Sequence, residues 1–191
     1  MMKKENKIFI ISGPSGVGKT TVTKSIIRRL SFLKTTVTFT TRTKRLGKKE
    51  DKRVIHVSED QFRKKVNRGD FLEWAVVHDN FYGTDGQVVI DRLKKNSLLM
   101  NIDVQGALQI KEKMPRQTVL IFIKAKNLNE LVKRIAKREK MPKNILAIRL
   151  KNARKELALA KKYQHVVVNE TGKVAQTIKE VEEIIKNELA R

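Results

Sequence analysis

Gly13-Pro14-Ser15-Gly16-Val17-Gly18-Lys19-Thr20 is the first stretch of this chain whose residue types and spacing can do chemistry. It fits G-x-x-x-x-G-K-[ST], a loop that cradles phosphate groups. Gly13, Gly16 and Gly18 let the backbone turn tightly and aim its N–H groups inward. The positive end of the following helix adds its dipole to that nest. Lys19 can reach β- and γ-phosphates as a charged donor, and the Thr20 hydroxyl can ligate Mg²⁺. The residues expected to hold ATP, taken with Mg²⁺, are Gly13, Pro14, Ser15, Gly16, Val17, Gly18, Lys19, Thr20 and Thr21. The motif does not name what accepts the phosphate.

A second stretch with anion chemistry lies between Thr41 and Ser58. Arg42, Lys44, Arg45, Lys48, Lys49, Lys52 and Arg53 crowd there around the acids Glu50 and Asp51. A small phosphate, a nucleic acid or plain solvent would each suit that run.

The elements that must position these residues follow from hydrophobic periodicity. Lys7–Ile11 is a buried strand entering the loop, and Val22, Ile26, Ile27 and Leu30 fall at helical spacing after it. Thr35–Thr41 and Val54–Val57 are β-branched runs on either side of the basic stretch. Glu59–Arg68 is a helix stopped by Gly69, Phe71–Val77 a strand, Phe81–Thr84 a turn, and Gln87–Lys95 a helix. Ser97–Ile102 and Val119–Ala125 are apolar strands of the buried parallel type. Leu128–Lys137 and Asn144–Lys161 are helices, Val166–Val168 is a last strand, and Lys173–Leu189 is a closing amphipathic helix. Strands alternating with helices after a phosphate loop imply an α/β fold, a parallel sheet flanked by helices. The interval from about Thr35 to Val89 breaks that rhythm and reads as an inserted small domain.

Composition narrows the classes. With 191 residues, 40% of them hydrophobic, the chain can bury a core of its own. The absence of cysteine excludes disulfides, thiolate metal sites and cysteine nucleophiles. Ile8–Ile11 is too short for a signal peptide core, and no run approaches the ~20 apolar residues of a membrane span. A cytoplasmic protein without a membrane partner is expected. The formal charge of +23 attracts polyanions and phosphorylated metabolites alike. Nucleic acid is therefore a competing partner. Against it, aromatics are 5% of the chain, leaving few platforms for stacked bases, and no helix-turn-helix, zinc or RNP signature is present.

Further along, "FLEWAVVHDNFYGT" (Phe71–Thr84), "TTRTKR" (Thr40–Arg45), "NIDVQGA" (Asn101–Ala107) and "VVVNE" (Val166–Glu170) join the phosphate loop in one order. Together they make the chain resemble the guanylate kinases over nearly its whole length. The resemblance implies transfer of the γ-phosphoryl of Mg·ATP to GMP, and to dGMP. It implies a core domain (1–34, 90–126 and 150–191), a GMP-binding domain (35–89) and a helical lid (127–149). By the same resemblance Arg42, Arg45 and Tyr82 grip the GMP phosphate, Glu73 reads guanine, and Thr38, Thr84 and Asp103 lie at the base. Arg134, Arg138 and Arg149 match lid arginines that act in catalysis with Lys19. Arg134 and Arg138, four residues apart, also suit a solvated helix face, and His78 suits packing better than catalysis.

The chain departs from the family pattern at several of these places. Lys48 stands where an acid is usual. Val54 replaces a phosphate-binding tyrosine and His56 a phenylalanine; a lost hydrogen bond to a charged acceptor is worth about 1.5–3 kcal/mol. Lys48 or Lys52 would be a partial substitute. Asn101 replaces the first acid of D-x-D, so that metal contact through water falls to Asn101 and Asp103 with one charge fewer. Arg138-Glu139 stands for R-G, and Tyr163-Gln164 for Y-D. A guanylate-kinase-like binding module with weak or no turnover is thus the second expectation. The intact Lys19 and Thr20 speak against it. Oligomeric state leaves no mark in the sequence.

Overall fold

Ile8–Ser12 forms strand β1 because five consecutive residues, four of them apolar, can be buried on both faces only at the centre of a sheet. The structure, a computed structural model, describes residues 5–44, 53–77, 79–138 and 143–191. After β1 come α1 (Lys19–Arg29), β2 (Thr38–Thr40), β3 (Val54–His56), α2 (Glu59–Asn67), β4 (Phe71–Val77) and β5 (Asn80–Asp85). Then follow α3 (Gly86–Leu93), β6 (Leu98–Asn101), α4 (Val104–Lys113), β7 (Thr118–Lys124) and α5 (Leu128–Arg138). The chain closes with α6 (Lys143–Ala158), a 3-10 turn at Leu159–Lys162, β8 (His165–Val168) and α7 (Val174–Ala190).

One sheet has the order β6-β1-β7-β8, every pair parallel. Its strands alternate sides. Phe9, Ile11, Leu99, Ile121 and Ile123 face a core shared with Val22 and Ile26 of α1 and Ile178, Val181 and Ile185 of α7. Ile8, Ile10, Met100, Leu120 and Phe122 face the opposite core, with Val89 of α3 and Val104, Ala107 and Ile110 of α4. This is the doubly wound α/β arrangement the alternation of elements implied.

A second sheet has the order β3-β2-β5-β4, with β2–β3 parallel and the other pairs antiparallel. Its convex face is aromatic. Phe62 of α2 stacks on Phe71 at 4.6 Å between ring centroids and lies 5.3 Å from Phe81. Helix α2 is started by a full capping box between Ser58 and Gln61. Burial of Phe62, which is inaccessible to solvent, stabilises this layer by about 1.5–3 kcal/mol.

Helix α4 ties the sheets together. The Gln109 side chain accepts from Trp74 N at 3.3 Å and donates to Trp74 O at 2.9 Å, and Lys113 Nζ donates to Leu72 O at 2.6 Å.

Two expectations change. Phe81–Thr84 is not a turn but most of strand β5; the reversal falls between Val77 and Asn80, which pair, and Asp79 there has φ 61°. Gly83 is a strand glycine because a Cβ would lie 3.0 Å from Phe62 Cζ and 3.1 Å from the Phe71 ring. The second change is α4, for which the sequence had offered only a motif. Asp103 caps it, accepting from Gln105 N at 2.8 Å and Gly106 N at 3.2 Å.

Candidate active site

The phosphate loop leaves the carboxyl end of β1, where ligands of open α/β sheets bind. Gly13, Gly16 and Gly18 all have positive φ. Lys19 Nζ donates to the carbonyls of Gly13 and, at 3.0 Å, of Pro14, so its ammonium rests on the loop's own backbone. Thr20 lies in the first turn of α1, and its hydroxyl accepts from Asn101 Nδ2 at 3.4 Å. Asn101 is the last residue of β6, whose carboxyl end lies beside that of β1.

From the other side the loop is held by Asn169, just after β8. This buried amide donates to Val17 O at 2.8 Å and accepts from Thr177 Oγ1 of α7 at 3.0 Å. Arg134 of α5 is fastened to the same connection. Its guanidinium donates to Asn169 O at 2.7 Å and Thr171 Oγ1 at 3.0 Å, and pairs with Glu130 at 3.1 Å. Hydrogen bonds from Thr171, with help from Lys126 N and Arg134, hold the Glu130 carboxyl down at about 2. Arg134, expected over the phosphoryl, is thus committed to the strand-to-helix connection beside the loop.

The second sheet's concave face is set by register. Glu73↔Thr84↔Thr38↔Val54 forms one row, and Ala75↔Tyr82↔Thr40↔His56 the next. Paired residues project to the same side, so residues far apart in the chain share a surface. Glu73 is 2% exposed. Thr84 Oγ1 donates to its Oε1 at 2.6 Å, while Oε2 is buried without a hydrogen-bond partner. Burial pushes this carboxyl up to about 7; Thr84 opposes the shift and the Asp103 carboxylate adds to it. Gly106 of α4 is packed against it, and a Cβ there would lie 2.2 Å from Glu73 Oε2. Asp103 and Gly106 are therefore parts of the Glu73 environment.

Arg42 follows the second row. Its N–H donates to Thr40 Oγ1 at 3.2 Å, and its guanidinium donates to Thr43 O at 3.2 Å. His56 Nδ1 lies 2.5 Å from Arg42 O. A cleft of about 600 Å³ joins the two halves, with Thr20, Lys24, Asn101 and Ile102 on one wall and Thr38 and Arg53 on the other. Arg45, Lys48, Lys52 and His78 lie outside the described residues, as does the side chain of Arg138. Arg149 is a half-buried residue of α6.

Three participants were not singled out from sequence. Asn169 sat unremarked inside a quoted motif. Gly106 carries no chemistry of its own. Glu156 of α6 has a carboxyl that burial raises to about 7, with the Lys19 ammonium opposing and Asp103 adding to the shift. Its charge is felt by the loop lysine, and a lone glutamate on an amphipathic helix gives no sign of that.

Comparison with known proteins agrees with this geometry. The family model described as guanylate kinase matches residues 5–188. Guanylate kinase of Caldanaerobacter subterraneus subsp. tengcongensis is 38% identical over 191 residues, all of this chain and 91% of the relative. Guanylate kinase of Thermotoga maritima is 36% identical, covering 98% of this chain and 89% of its own length. The crystal structure of guanylate kinase from Anaplasma phagocytophilum superposes with a TM-score of 0.82 at 31% identity, over 100% of this chain and 90% of that one. A family model that spans residues 5–188, and relatives alike over nearly their whole length, lead to one conclusion: the chain belongs to the guanylate kinase family.

Proposed function

We propose that the protein transfers the γ-phosphoryl of Mg·ATP to GMP, yielding ADP and GDP. The observation that carries this reading is Glu73: a buried carboxylate whose Oε2 has no hydrogen-bond partner among the described residues, in a row whose Thr38 and Val54 line the cleft that also reaches Thr20. Guanine presents N1–H and its 2-amino group side by side, two donors for one carboxylate. Adenine presents an acceptor at N1 and would leave Glu73 unpaired, which a buried site discriminates strongly. Thr84 and, beyond it, Thr38 follow Glu73 along the same row. Tyr82 and Arg42, in and beyond the next row, are placed to hold the phosphate, with Arg45 as their partner.

On the ATP side, Lys19 exchanges its two carbonyl acceptors for phosphate oxygens, a gain because the new acceptors are charged. The oxygen donors for Mg²⁺ would be the Thr20 hydroxyl and, through water, Asn101 and Asp103. Among the described residues no group of three acidic, histidine or cysteine side chains could hold a metal alone. That donor set suits an ion carried in largely by the triphosphate and its waters. Mg²⁺ would supply charge neutralisation between the β- and γ-phosphates. Arg134, Arg138 and Arg149 of α5 and α6 are taken as the cationic residues of a lid, assigned to 127–149 by the likeness to the family. The GMP-binding domain is taken as 35–89. Catalysis here is positioning and electrostatics, with no strong base required.

The test is ADP release with ATP, Mg²⁺ and each of GMP, dGMP, AMP, CMP and UMP. Turnover confined to GMP and dGMP is expected. Comparable turnover of AMP would refute Glu73 as base reader, and GMP binding without turnover would reassign the chain as a binding module.

A further inference from the structure

We infer that His56 is a third donor to the phosphate of GMP, beside Arg42 and Tyr82; this rests on the concave face being the GMP site. Strand β3 offers that face two side chains, Val54 and His56, because Ile55 between them pairs with Phe39 and turns to the convex side. Val54 has nothing to donate. His56 stands in the row of Tyr82, with Thr40 between them. Thr40 is fully buried and its hydroxyl is spent on Phe81 O at 2.8 Å, so it forms a short floor between two longer side chains. Neighbouring strands are ~4.8 Å apart, which sets Tyr82 and His56 roughly 10 Å from each other at the backbone, a gap a phosphate group fills.

The ring is already oriented. A carbonyl oxygen only accepts, so the 2.5 Å contact with Arg42 O places the proton on Nδ1 and directs Nε2 to the opposite edge of the ring. As an imidazolium the ring donates from both nitrogens, one to that carbonyl and one to a phosphate oxygen. Arg42 thereby serves twice, through its guanidinium toward the phosphate and through its carbonyl as the anchor of the His56 ring.

The experiment uses the full chain with His56→Phe, His56→Gln and, as control, Arg42→Ala. Three quantities are measured: KM for GMP, KM for ATP, and the dissociation constant of guanosine, which lacks the phosphate. His56→Phe should raise KM for GMP about tenfold, the loss of one charge-assisted hydrogen bond, with ATP and guanosine within twofold of wild type. His56→Gln keeps an N–H donor without the charge and should fall between. If Arg42→Ala weakens GMP and neither His56 variant does, the histidine assignment is wrong while the site stands. If GMP and guanosine weaken together in the His56 variants, the ring is a packing element and the inference falls. If none of the three variants changes KM for GMP, the concave face is not the GMP site and both readings fall. Should His56→Phe fail to fold, His56→Gln carries the same comparison.

Discussion

Glu73→Gln should make the protein more stable and worse at its task. The substitution removes a buried charge and keeps the shape; a glutamine carbonyl accepts from Thr84 as the carboxylate does. The Glu73 carboxyl titrates at about 7 in the folded protein against an ordinary 4.5. Between those values the folded state holds a proton that the unfolded state has released, so the contribution of this group to stability falls as pH rises. Above pH 7 the full cost of keeping it ionised and buried is about 3 kcal/mol, at 1.36 kcal/mol per pH unit. The variant does not titrate there. It should exceed wild type by up to about 3 kcal/mol at pH 8.5, a rise in Tm of roughly 6–10 °C for a chain of this size, and match it near pH 4.5. The assay is thermal unfolding of both proteins without nucleotide, at the two pH values and one salt concentration. Other titrating groups are common to both and cancel in the difference. Adding GMP should raise Tm strongly for wild type and little for the variant, while ATP raises both alike. Equal Tm values at pH 8.5, or the same gap at both pH values, would refute the burial argument.

Gly106→Ala, ordinarily a stabilising change within a helix, should raise KM for GMP by about 10²-fold, since displacing a positioned group by about 1 Å costs that much. The reason is the 2.2 Å approach of its Cβ to Glu73 Oε2, and an unchanged KM for GMP would show that the carboxylate is free to shift. Asn101→Asp puts a charge 3.4 Å from the Thr20 hydroxyl. It should lower the Mg²⁺ concentration for half-maximal activity several-fold, because affinity for a hard cation rises with the charge of its oxygen ligands; a Mg²⁺ titration of the rate checks this.

The phosphate loop was legible in the sequence because its chemistry is local: eight consecutive residues, a strand before and a helix after. The parallel sheet was legible because strands buried on both faces read as continuous apolar runs. The concave face was not. Its rows are made by pairing between strands, and nothing in the spacing of Glu73, Thr84, Thr38 and Val54 discloses that they lie side by side. Gly83 misled for a related reason. A Tyr-Gly pair is a turn signal in isolation, and only the rings of Phe62 and Phe71 beneath it make the glycine a strand residue. Arg134 was expected over the phosphoryl or on a solvated helix face, and its ties to Asn169 and Thr171 span more than thirty positions.

Those ties bear on when the protein becomes competent during its synthesis. The phosphate loop is made first, yet Val17 is secured by Asn169, which lies 152 positions later, and Asn169 is itself steadied by Thr177. Strand β8, which delivers Asn169, pairs among the described residues with β7 alone. A nascent chain can therefore carry the whole phosphate loop and still lack the clasp that shapes it. Chains grow at roughly 5–20 residues per second, so several seconds separate emergence of the loop from emergence of its clasp. Nucleotide binding is in this sense among the last properties the polypeptide acquires, and a ribosome stalled before α7 holds a chain that has the motif without the grip.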